Sequence, residues 1–173
     1  MRRTITTISA LLIATSLTAC GAGQNTATRN ISKVTDGVEK SITQHGSAIK
    51  IVNLLLVATE TGDAVVVGTI VNQGAEPDQL LGIAVGSSTA TITGETKLMQ
   101  NVPIRFEGES ANAKAVFAGV SAAPGRHVKL TLGFARAGMV TAEVIIRDKR
   151  DAYKNVTSNL VEASASPDSQ PPQ

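Results

Sequence analysis

The chain has 173 residues, room for one domain of ordinary size, and carries 16 Lys or Arg against 14 Asp or Glu. Arg2 and Arg3 account for the whole surplus, and with no Trp, one Tyr and three Phe the chain lacks both the basic face and the stacking rings of a nucleic-acid binder. A single cysteine excludes an internal disulfide framework and a multi-cysteine zinc site.

Arg2 and Arg3 stand directly ahead of an apolar run over residues 5–16. That run is shorter than the ~20 residues a membrane-spanning helix needs, and its basic flank suits a secretory signal. Leu17-Thr18-Ala19-Cys20 follows. These four residues resemble the bacterial lipobox, which implies cleavage before Cys20 and a diacylglyceryl group on its thiol. Leu17, Thr18 and Ala19 are then the cleavage motif and residues 1–19 the signal peptide. Two acyl chains anchor stably where one would hold only reversibly. The expected location is the extracytoplasmic face of the cell membrane, and removal of Arg2 and Arg3 leaves a neutral mature chain.

Residues 20–47 read as a tether. They are rich in Gly, Gln, Asn, Thr and Ser, with a weak helical spacing at Ile31, Val34, Val38 and Ile42 that buries too little to order itself. A flexible segment of this length spans ~25–30 Å. At the other end, residues 149–173 form a tail whose last part, 163–173, holds three Pro, three Ser and two Gln and is expected to be disordered. The sequons at Asn30 and Asn155 carry no modification in this reading.

Between these ends, residues 48–148 read as one domain. Residues 49–58, 64–72, 80–85, 89–93, 102–106, 113–120, 127–134 and 139–147 are β-branched or apolar runs, separated by turn residues such as Thr61-Gly62-Asp63 and Ala123-Pro124-Gly125-Arg126. Period-two alternation is clear in Val128, Leu130, Leu132 and Phe134, and again in Val140, Ala142, Val144 and Ile146. These two runs are expected to pair antiparallel across the turn at 135–138. Seven or eight short strands without a βαβ rhythm predict an all-β, immunoglobulin-like or cupredoxin-like antiparallel sandwich between flexible tails.

The segment from Thr69 to Gly82, with Asn72, Gly74, Pro77-Asp78 and the apolar pair Leu80-Leu81, resembles the signature hairpin of the PCuAC periplasmic copper-chaperone family. Pro124-Gly125 leading into residues 128–134, and Ala137-Gly138-Met139 leading into 140–144, agree with that resemblance, which covers roughly residues 50–147. The stretch Cys20-Gly21-Ala22-Gly23-Gln24 is similar to the start of mature LpqE-type lipoproteins of actinobacteria. The resemblance implies a cupredoxin-like fold and a copper site made of one His and one Met in mid-domain, followed by a His-x-Met on a later strand. Cu(I) prefers such imidazole and thioether donors. The first His falls at Thr93, the His-x-Met at Lys114-Ala115-Val116, and only Met99 lies in the region of the first Met. Three of the four implied ligands are absent, so the expected copper site is degenerate.

The other soft or imidazole donors are His45, His127 and Met139, with Met99 and His127 the candidate pair for a rearranged copper site. No nucleophile elbow, phosphate loop or His-Glu-x-x-His motif occurs, which argues against an enzyme. Glu107 and Glu109 alternate and can put two carboxylates on one face; Ser87-Ser88 has no placed base; Arg147, Lys149, Arg150 and Lys154 form a basic cluster diluted by Asp148 and Asp151. The expectation is a non-enzymatic lipoprotein with no cofactor and an envelope protein or ligand as partner. The alternative is a metallochaperone taking copper through Met99 and His127.

Overall fold

Two stretches, residues 54–58 and 64–67, are apolar at every position and therefore need cover on both faces. The structure, a computed structural model, describes residues 36–44 and 46–159 and supplies both covers. Among these residues lie eleven strands: β1 (Val38–Ile42), β2 (Ile49–Ala58), β3 (Ala64–Asn72), β4 (Asp78–Val85), β5 (Ser88–Thr89), β6 (Thr91–Gly94), β7 (Lys97–Leu98), β8 (Ile104–Arg105), β9 (Ala113–Phe117), β10 (His127–Phe134) and β11 (Gly138–Arg147). They follow one another in space as β5-β4-β10-β11-β2-β3-β9-β6, with β1 on β2, β7 on β4 and β8 on β3. The result is an all-β sandwich closed nearly into a barrel, as the turn and strand spacing predicts.

β10 and β11 form the expected antiparallel hairpin, in register from His127–Ile145 to Phe134–Gly138. β11 then crosses to the other layer and pairs with β2 in parallel at Ile146–Leu56 and Arg147–Val57, a departure from a purely antiparallel sandwich. The main core lies between the layers and holds Ile49, Ile51, Leu54, Leu56, Val66, Ile70, Leu80, Ile83, Phe106, Phe117, Leu130, Leu132, Phe134 and Val144, among others.

A bulge in β2 decides which side chains reach that core. Between Val52 and Leu55 the register against β3 slips by one residue, with Asn53 at φ 54°. Asparagine tolerates this left-handed conformation better than most residues. Before the bulge the odd positions Ile49 and Ile51 point inward; after it the even positions Leu54, Leu56 and Ala58 do. Leu55 and Val57 are thereby turned to the outer face, where they meet Val65, Val67 and Val116 in a second apolar cluster. Val156 and Tyr153 close that cluster from outside.

The domain is wider than residues 48–148. β1, which lies inside the stretch expected to be tether, pairs with β2 and buries Ile42. The C-terminal stretch continues past Arg147 through a 3₁₀ turn at Asp151–Tyr153 to the buried Val156, and is packed there where a tail was expected. Strand bounds also differ: residues 89–93 split at Ala90 into β5 and β6, residues 102–106 shrink to β8, and β7 was not anticipated. The signal residues 1–19, Cys20, the tether as far as residue 35, His45 and residues 160–173 lie outside the described residues.

Candidate functional site

The hairpin that carries the family resemblance is a structural corner. Asn72, 1% exposed, donates from Nδ2 to the carbonyls of Glu76 (2.8 Å) and Leu98 (3.0 Å), and its Oδ1 accepts the Gly74 N–H (2.9 Å). Asp78 is also buried. Its carboxylate accepts the main-chain N–H groups of Gln79 (2.7 Å), Arg136 (2.9 Å) and Ala137 (2.9 Å), tying the start of β4 to the β10–β11 turn. Two polar side chains are thus fully used in holding three loops together, which is what burial demands of them.

Thr93 and Lys114, where the resemblance puts the first His and the start of the His-x-Met, are direct cross-strand partners on β6 and β9. The fold therefore brings these two positions together. Lys114 and Val116 point to the outer face of β9, while Ala113, Ala115 and Phe117 point into the main core. The Lys114 ammonium is already fully engaged. It donates to the Thr157 carbonyl (2.8 Å), the Thr157 hydroxyl (3.3 Å) and the Asn159 carbonyl (3.3 Å), and lies 3.7 Å from Glu107 Oε1. Burial pushes the Glu107 carboxyl above its ordinary range, and the nearby Lys114 charge pulls partly the other way. A cation is built into this position, surrounded by oxygen and with neither imidazole nor thioether. The residues present do not fit copper.

Met99 and His127 do not meet. Met99 follows β7, whose Leu98 pairs with Asp78, and so lies beyond the end of β4 at which Leu80 faces Phe134. His127 is at the opposite end of β10, seven residues away along the strand, or ~23 Å. Both are exposed, as is Met139, which pairs with Gly133 near the Phe134 end. Among the described residues no three His, Cys, Asp or Glu side chains are grouped to hold a metal ion.

Two members of the basic cluster are ion-paired. Arg147 Nη2 lies 3.6 Å from Asp36, and Arg150 Nε lies 2.8 Å from Asp148. The Tyr153 hydroxyl donates to Asp36 at 3.4 Å, and burial together with that carboxylate raises its pKa. On the far loop, Asp63 accepts from the Gly119 N–H (2.9 Å) and from Thr61 (2.7 Å); these bonds and one with Ser158 hold its carboxyl below the ordinary range. Sequence reasoning missed the partners of Lys114. A lysine between Ala113 and Ala115 signals a charge that needs company, but carbonyl groups 43 and 45 residues away have no side-chain signature.

The comparison with solved structures defines the class of fold: this β-sandwich is PCuAC-like. Three solved structures are similar, each across 64% of this chain. They are the apo PCuAC domain from PmoF1 (22% identity, TM-score 0.54, 99% of that chain), the copper-bound PCuAC domain from PmoF2 (20%, 0.52, 98%) and the apo PmoF2 PCuAC domain (19%, 0.51, 95%). At this identity the likeness carries the fold alone. Neither a protein-family model nor a curated protein matches the chain.

Proposed function

We propose that this chain is a membrane-anchored, extracytoplasmic lipoprotein that presents a PCuAC-like sandwich for a binding role, without enzymatic activity and without the copper site of the family. The observation that carries the reading is Lys114: where the resemblance places a metal ligand there is an ammonium, already bonded to three oxygens. A metal cation next to it would meet like-charge repulsion with no soft donor to offset it. The rearranged copper set gains no support, because Met99 and His127 belong to opposite ends of the sandwich. Competitive Cu(I) titration of the full chain tests the copper half of the reading.

The anchor rests on Cys20 and the Leu17-Thr18-Ala19 motif before it. Cys20→Ala is expected to release the protein from the membrane fraction or to leave the precursor uncleaved, read by fractionation and intact mass. Membrane retention with an unchanged mass would refute the anchor.

A further inference from the structure

The segment from Asp151 to Asn159 lies on the sandwich as a bound peptide would. Among the described residues its main-chain to main-chain hydrogen bonds are all local: Tyr153 N–H to Arg150, Lys154 N–H to Asp151 and Val156 N–H to Tyr153. Of the nine residues only Val156 is buried. That valine sits on Leu55, Val57, Val65, Val67 and Val116, a face of branched aliphatic side chains on β2, β3 and β9. Lys114 clamps the carbonyls of Thr157 and Asn159, main-chain acceptors that any peptide carries. The fit is incomplete, because a cavity of about 420 Å³ remains between Val67, the 107–109 loop and the segment's own Tyr153 and Val156.

We propose that this face is a peptide-binding groove which the chain's own C-terminal segment occupies in cis, and that its partner is an extended segment of another protein that displaces this occupant. Five aliphatic side chains side by side need a cover, and the cover in place shows the chemistry that suits them. A partner segment supplies one branched aliphatic side chain for the face and two carbonyls for Lys114, and apolar bulk beyond that fills the cavity beside Val67. The present occupant holds by one buried side chain and one ammonium, without strand pairing, so it can leave while the sheet beneath stays intact. The ammonium that stands where the resemblance implies a metal ligand thereby becomes the clamp for a peptide. This groove deepens the binding role proposed above and rests on it; failure of a peptide titration leaves the Cu(I) result untouched, and the reverse holds too.

A fluorescein-labelled peptide of residues 150–159 serves as the probe, read by anisotropy against the full chain. The tethered segment competes with it at an effective concentration of about 1 mM, so loosening the segment frees the face. Val156→Asp in the chain, and the milder Val156→Ser, are each expected to bind the probe at least tenfold tighter than the wild type, with a Kd of about 0.1 mM or tighter and an unchanged far-UV circular dichroism. Adding Lys114→Met to either chain is expected to weaken the probe by roughly fivefold or more, and Val156→Asp within the probe to abolish its binding. Absence of saturable binding to both loosened chains overturns the proposal. So does equal affinity for wild type and loosened chains, or an affinity indifferent to Lys114→Met. A dimer of the wild type that exchanges this segment between copies, seen by light scattering while the free probe stays unbound, overturns it in favour of a second copy as the occupant.

Discussion

At Asp78 one carboxylate accepts three main-chain N–H groups, two of them from a turn 58 and 59 residues away. Asp78→Ala leaves the Arg136 and Ala137 N–H groups facing the interior with nothing to bond. The expected cost is about 3 kcal/mol, read as a Tm lower by roughly 10 °C. A change under about 1 kcal/mol would mean the corner is held by other contacts. Glu107 is the residue whose charge costs the fold something. Its folded pKa is raised, chiefly by burial, so the stability its neutral form contributes is fully present below the unfolded value of 4.5 and is lost as pH rises through the folded pKa. The difference in stability between the wild type and Glu107→Gln, measured by chemical denaturation, is therefore expected to move against the wild type as pH rises from 4 to 7. The opposite slope would show that pairing with Lys114 outweighs burial. Asn72 and Asp78 were legible as a family signature but not as a structural lock, because what they bond is backbone. The sequence resemblance alone places the implied copper ligands at Thr93, Lys114 and Val116, and the fold brings Thr93 and Lys114 side by side.

The strands that sequence periodicity located best are β10 and β11, where one face is wet and the alternation survives intact. β2 and β3 were located by their continuous apolar character, and their bounds at residues 49, 58, 64 and 72 agree with the sequence reading. Their parity was not legible, since it turns on the bulge at Asn53, where one residue in the left-handed region exchanges the two faces for the rest of the strand. β1 escaped notice because five residues with two charges do not look like a strand in isolation; it is ordered by pairing with β2, not by its own propensity. The covering segment at 151–156 escaped for the same reason: a single valine and a single tyrosine carry its apolar contacts. If Lys114 fastens that segment, Lys114→Met should raise amide exchange over residues 154–159 at least tenfold and leave the β10–β11 hairpin unchanged, measured by hydrogen exchange. Unaltered exchange at 154–159 would mean Val156 alone holds the segment down.

At the scale of the molecule, the chain folds as a PCuAC-like sandwich in which the conspicuous polar residues among the described ones are spent on architecture. Asn72 and Asp78 lock loops, Asp63 closes the β2–β3 turn onto Gly119, Arg147 and Arg150 are matched by carboxylates, and Lys114 stands where a metal ligand is implied. The likeness to solved structures is a likeness of scaffold, and fold alone is a poor guide to function. The decisive measurement is Cu(I) affinity of the full chain by competition with a chromophoric chelator under anaerobic conditions. The account predicts no binding tighter than about micromolar, and no loss on changing Met99 or His127 to Ala. Binding at nanomolar or tighter that disappears in Met99→Ala or His127→Ala would contradict it.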